Sequence, residues 1–253
     1  MPGESSWEII RHQVAVQVNY LHAALPAAAG ACEVCYGAVP VELSRCWRCV
    51  EARNSSGGVL ADAVVPISYR VNDNGQHAQD LVMYKRPLRG NEAARRRLHA
   101  LFWYFCKTHI TCVKQSVGIE RFTHVCFVPS TKHTEAVHPL QVLLAPKISL
   151  NRVELVVNTG IDTASRSFHA DWFDLSGEST SVEGANVLLI DDTWVTGARA
   201  QSAAHRLKRA GAHTVATVVL ARELQPKYEH AKPLLDRVTH TRFDLETCVL
   251  HQS

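Results

Sequence analysis

The residues best suited to chemistry lie in the run Val187-Leu188-Leu189-Ile190-Asp191-Asp192-Thr193-Trp194-Val195-Thr196-Gly197-Ala198-Arg199, which sets two carboxylates and a turn between an apolar strand and a helix. Adjacent carboxylates can accept hydrogen bonds from the vicinal hydroxyls of a sugar. A turn that opens a helix presents backbone N–H groups without intrahelical partners, together with the positive end of the helix dipole. The combination suits a sugar phosphate, its hydroxyls on Asp191 and Asp192 and its phosphate on the amides of Thr193 to Arg199. The plainer alternative is that the acids only cap the following helix, although one Asp would suffice for that.

A second constellation is Cys32-Glu33-Val34-Cys35 with Cys46-Trp47-Arg48-Cys49. Two Cys-x-x-Cys knuckles this close can place four thiolates on one tetrahedral Zn²⁺, a closed shell with no position left for substrate. The zinc is therefore expected to be structural. Reactive or redox thiols are the competing reading. The remaining cysteines, Cys106, Cys112, Cys126 and Cys248, are scattered and read as small buried hydrophobes.

Four bulky apolar residues without alternation, Val187 to Ile190, predict a strand covered on both faces, as in a parallel sheet flanked by helices. Its carboxyl end, where the acids sit, is where open α/β sheets bind ligands. Ala200 to Ala210 reads as the following helix, with Gly211 at its stop. Another apolar strand, Val125 to Pro129, leads into Ser130-Thr131-Lys132-His133-Thr134, which could hold a pyrophosphate beside the acids; ordinary turn chemistry accounts for the same residues.

Elsewhere the patterns predict an amino-terminal helix from Trp7 to Ala24 and two strands, Val59 to Val71 and His77 to Tyr84, joined at the turn Asn72 to Gly75. A long helix capped by Asn91 follows, with Leu98, Leu101, Phe102 and Phe105 as its buried stripe and Arg95 to Arg97 on a solvated face. Leu155 to Val157 and Thr214 to Leu220 read as further strands. The polar, glycine-rich break at Asn54 to Gly58 divides the chain into an amino-terminal helix plus cysteine module, 1–55, and an α/β domain, 56–253.

At 253 residues and 46% hydrophobic content the chain can bury a substantial core. A net charge of +3 and a pI near 8.4 are too mild to argue for nucleic acid but suit a polyanionic metabolite. No apolar run approaches the ~20 residues that cross a bilayer, and the start Met1-Pro2-Gly3-Glu4 does not read as a signal peptide. The expectation is a cytoplasmic protein without a membrane partner, its state of assembly open to a homo-oligomer.

The Asp191-Asp192 run resembles the signature of the type I phosphoribosyltransferases, an apolar strand, two acids and a Thr-Thr-Gly-x-Thr loop; Val195 stands for the first loop threonine and Arg199 for the last. The order of the four-cysteine module, Tyr84-Lys85, Val128-Pro129-Ser130 and the acidic loop resembles the ComF-like branch of that superfamily. The resemblance implies a mostly parallel sheet behind a small zinc-ribbon module, and Mg²⁺-bound 5-phosphoribosyl 1-pyrophosphate (PRPP) as ligand. It also implies transfer of ribose 5-phosphate to a nitrogen of a nucleobase-like heterocycle, purine or deazapurine. The PRPP contacts would be Ser130, Thr131, Lys132, Asp191, Asp192, Thr193, Val195, Thr196, Gly197, Ala198 and Arg199, with Asp191 and Asp192 also serving the chemistry. Trp172, Phe173 and Trp194 could form a platform for a flat acceptor or belong to the core. A non-catalytic PRPP or nucleotide sensor and an accessory protein of DNA uptake or repair are the other readings.

Overall fold

The computed structural model describes residues 6–28, 30–71, 75–86, 90–131, 137–162, 165–177 and 181–251. In chain order the elements are α1 (Ser6–Ala15), β1 (His22–Ala23), α2 (Trp47–Ser55), β2 (Ala63–Val71), α3 (Gln76–Met83), α4 (Glu92–Ser116), β3 (His124–Phe127), α5 (Pro139–Leu144), β4 (Asn151–Val153), β5 (Leu155–Val157), β6 (Phe173–Leu175), β7 (Asn186–Trp194), α6 (Ala198–Arg209), β8 (Thr214–Leu224) and α7 (Lys232–His240).

Six strands form one sheet in the order β1-β2-β8-β7-β3-β4, parallel except for β1 against β2, while β5 and β6 pair antiparallel apart from it. The expected α/β class holds: a mostly parallel sheet flanked by helices, with a small four-cysteine module near the amino terminus. Both faces of the central strands are apolar, as the unalternating runs require. Leu188 and Ile190 of β7, Val125 and Phe127 of β3 and Val218 of β8 pack on one side with Leu98, Leu101 and Phe102 of α4. Val187, Leu189, Cys126 and Val215 point the other way, to Ala200, Ala203, Ala204 and Leu207 of α6. Small alanines let α6 approach the sheet closely. Cys32, Cys35 and Cys49 share that second core, so the cysteine module is welded to the α6 side of the sheet.

The strand order fixes where a ligand can go. From β3 the chain moves outward to β4, and from β7 it moves the opposite way to β8. The ends of β3 and β7 therefore flank the point where the winding reverses, which opens a crevice at the carboxyl edge.

Several local expectations are corrected. His77 to Tyr84 is helical, not a strand: the buried residues His77, Ala78, Asp80 and Leu81 follow the three- and four-residue helical spacing. The amino-terminal helix stops at Ala15, and β1 lies inside the segment predicted to continue it. Asn91 precedes α4 but does not cap it through its side chain; its amide donates instead to the carbonyl of Arg86, 2.5 Å away. Arg97 is not on a solvated face, since its guanidinium grips the buried Asp80 at 2.5 and 2.7 Å, and Arg95 donates to the Tyr84 carbonyl.

Candidate active site

A cavity of about 880 Å³ opens at the reversal point. Its walls come from the end of β3 (Val128, Pro129, Ser130), the end of β7 with the turn into α6 (Asp191 to Thr193, Val195 to Ala200), Lys85, His138, Arg166 and Trp172. Both sequence-derived loops thus meet at one site. Of the residues expected to contact PRPP, Ser130, Asp191, Asp192, Thr193, Val195, Thr196, Gly197, Ala198 and Arg199 line this cavity, whereas Thr131 is buried and is not among its lining residues. Lys132 lies outside the described residues. The strand also runs further than expected: Thr193 and Trp194 still pair with β8, opposite Ala221 and Arg222, which confines the turn to Val195–Gly197.

The two carboxylates are not equivalent. Asp192 is buried, accepts a 2.5 Å hydrogen bond from the Tyr84 hydroxyl and is ion-paired with Lys85. Burial opposes its ionisation, but the Lys85 ammonium and the Tyr84 hydroxyl outweigh that cost and hold its carboxyl below the ordinary range. Asp191 is half-buried, with Oδ1 accepting from the Asp192 N–H at 2.8 Å. Burial and the neighbouring Asp192 charge push its carboxyl up to about 7. One acid is thus a fixed anion clamped by the protein, and the other can take up or release a proton near neutrality.

Gly197 makes the turn. It sits at φ +80° directly before α6, and a Cβ there would lie 2.1 Å from Cζ2 of Trp194, which is fully buried beneath it. Glycine is needed both for the left-handed backbone and for the indole. Gly197→Ala is expected to cost about 2 kcal/mol or more, because it combines φ strain with overpacking against Trp194. Thermal unfolding followed by Trp fluorescence would check this, and an unchanged transition would refute the packing argument.

The aromatic residues divide. Phe173 and Trp194 are core, while Trp172, also fully buried, reaches the cavity wall with the Arg199 guanidinium 5.9 Å from its ring centre. Lys85 and His138 also line the cavity, beyond the residues the sequence predicts there. Lys85 follows α3, far away in the chain, and only its place in the Tyr84-Lys85 pair marked it. His138 precedes Pro139 at the start of α5 and accepts the Leu140 N–H on Nδ1 at 3.2 Å, a capping position that a Pro at the first helical residue signals. Burial lowers its pKa, which favours the neutral ring.

The four module sulfurs, Cys32, Cys35, Cys46 and Cys49, lie within 4.8 Å of one another, with Cys35 and Cys46 at 3.8 Å. Tetrahedral zinc with Zn–S bonds of about 2.3 Å needs sulfurs about 3.8 Å apart. The Cys46 N–H already points at the Cys32 sulfur, 3.4 Å away. The donor set and its spacing fit a closed metal centre.

Among the described residues no helix is long and apolar enough to cross a membrane. No family model matches the chain, and no curated protein matches it in sequence. Among solved structures, a purine phosphoribosyltransferase from Pyrococcus horikoshii Ot3 is similar at 13% identity and a TM-score of 0.26, over 51% of this chain and 91% of that one. A hypoxanthine phosphoribosyltransferase from Staphylococcus aureus is similar at 14% identity and a TM-score of 0.29, over 61% of this chain and 70% of that one. Likenesses this weak decide neither fold nor chemistry, which rest on the strand order and on the residues around the cavity.

Proposed function

We propose that the chain is a phosphoribosyltransferase that transfers ribose 5-phosphate from PRPP to a nitrogen of a nucleobase-like acceptor, releasing pyrophosphate. The observation that carries this reading is the meeting, in one cavity at the sheet's reversal point, of Asp191 and Asp192 with the left-handed Gly197 turn into α6. The turn amides and Arg199 take the 5-phosphate, Asp191 accepts from the ribose hydroxyls, and Ser130 with Lys85 faces the pyrophosphate. Mg²⁺ would neutralise the leaving pyrophosphate, held by substrate oxygens and water. As the glycosidic bond breaks, positive charge grows on the sugar ring, and the fixed anion of Asp192 with ionised Asp191 favours it electrostatically. Zinc on the four cysteines stabilises the 1–55 module, and the 56–253 domain carries the chemistry.

Purified protein should release pyrophosphate from PRPP only when a suitable base is present. PRPP binding without turnover across a broad base panel would instead select a PRPP-sensing protein, a reading favoured by Val195, an exposed apolar side chain in the phosphate turn at 41% exposure. No PRPP binding at all would refute both.

Acidity offers a second check. Asp191 accepts most strongly from sugar hydroxyls when ionised, and burial with the Asp192 charge pushes its carboxyl up to about 7. Below that pH binding must expel a proton, so affinity should fall by up to about tenfold per pH unit on acidification and level off on the alkaline side. PRPP phosphates titrate nearby, so the test is the difference between wild type and Asp191→Asn in calorimetry from pH 6 to 8. Identical slopes would remove Asp191 from the sugar contact.

A further inference from the structure

We propose that His109, Cys112, Cys248 and His251 form a second metal site, a Cys₂His₂ centre for Zn²⁺ that clamps the carboxy-terminal segment to α4. The four donor atoms lie within 4.8 Å of one another although the two pairs are far apart in sequence. His109 and Cys112 are spaced three residues apart on α4, which puts both on one face; Cys248 and His251 belong to a tight turn closed by the His251 N–H on the Cys248 carbonyl at 3.0 Å. Two imidazoles and two thiols in a compact group match the ligand set of structural zinc, and with four protein ligands the shell is closed.

The state of His109 points to a ligand independently of this clustering. The residue is 4% exposed, and Nε2 lies 3.0 Å from the Leu245 carbonyl. That carbonyl can only accept, so Nε2 carries the hydrogen and the lone pair is left on Nδ1. Nδ1 is buried and without a hydrogen-bond partner among the described residues. An acceptor buried without a partner is costly, whereas a metal-bound His characteristically donates its other ring N–H to a carbonyl or carboxylate. His251 Nε2 lies 3.4 Å from the Cys112 sulfur, while its Nδ1 accepts the Cys248 N–H at 3.0 Å. Ligation through Nε2 moves the ring proton to Nδ1, so that contact opens on loading. Zn²⁺ displaces the thiol protons of Cys112 and Cys248 to solvent, two protons per ion, and the loaded centre is neutral. The Tyr104 hydroxyl bond to Glu246 at 3.0 Å already lays the same segment along α4.

The proposal is independent of the reaction assigned to the cavity and can be tested without any substrate. The full chain, purified without chelator, should contain two zinc equivalents by elemental analysis. Cys32→Ser with Cys35→Ser should retain one, and so should Cys112→Ser with Cys248→Ser. Should a serine variant fail to fold, the wild-type protein reconstituted with ¹¹³Cd²⁺ gives the same information: two resonances are expected, one for four sulfurs and one, upfield, for two sulfurs and two nitrogens. A single equivalent untouched by the Cys112/Cys248 replacements, a single four-sulfur cadmium resonance, or a Cys112–Cys248 disulfide in peptide maps of the unreduced protein would each overturn it.

Discussion

Joint replacement of Asp191 and Asp192 by Asn is expected to abolish pyrophosphate release and to weaken PRPP binding by roughly 100-fold or more, since hydrogen bonds to charged groups contribute about 1.5–3 kcal/mol each. The single replacements should not be equal. Asp192 is already held by Tyr84 and Lys85 in the protein itself, so Asp192→Asn keeps a side chain of the same shape against the tyrosine and frees the Lys85 ammonium toward an anionic ligand. Asp191 accepts from the Asp192 backbone N–H and lines the cavity, so Asp191→Asn should cause the larger loss of affinity. Isothermal titration with PRPP, alongside thermal unfolding to verify the fold, measures both. Wild-type affinity in the double variant would remove the acids from the binding site.

The sequence made parts of this site legible for physical reasons. An unbroken apolar run ending in two acids has few places to sit other than the carboxyl edge of a parallel sheet, and β7 occupies that place. An alanine-rich helix after a glycine, and two Cys-x-x-Cys pairs, carry their meaning locally. What remained hidden depends on tertiary contacts. The His77 to Tyr84 segment has the apolar content of a strand, and only burial on one helical face, with Asp80 closed by Arg97 from α4, shows it to be α3. The apolar side of a short segment is ambiguous between periods of 2 and 3.6. Asp192 looked like half of a symmetric pair because neither Tyr84 nor Lys85 is near it in the chain. Cys112 and Cys248 read as small buried hydrophobes because they are far apart in the chain and meet, with His109 and His251, only through the path of the carboxy-terminal segment.

Arg222→Met should lower the midpoint of thermal unfolding by roughly 6–20 °C, because stranding several buried carbonyls at about 1–3 kcal/mol each costs about 3–5 kcal/mol in all, and a chain of this size responds by about 2–4 °C per kcal/mol. Arg222 is 8% exposed near the end of β8, and its guanidinium adds a polar link between the cysteine module and the end of β7 to the packing they already share. Nε donates to the Cys35 carbonyl at 3.2 Å, while Nη1 donates to the carbonyls of Trp194 and Val195, both at 3.0 Å. One side of that fork is a Cys-x-x-Cys knuckle and the other is the start of the turn into α6. Gly37 leaves the space for it, since a Cβ there would lie 2.0 Å from Nη2. Met keeps most of the volume but strands the carbonyls on both sides, so two further effects should accompany the fall in stability: weaker PRPP binding, as the Val195–Gly197 turn loosens, and faster loss of the Cys32–Cys49 metal to a chelator. Lys at 222 should restore only part of either, because a single ammonium cannot span both sets of acceptors as a planar fork does. If Arg222→Met lowered stability but left PRPP affinity and metal release at wild-type values, the module and the turn would be energetically independent, and the link through Arg222 would be packing alone.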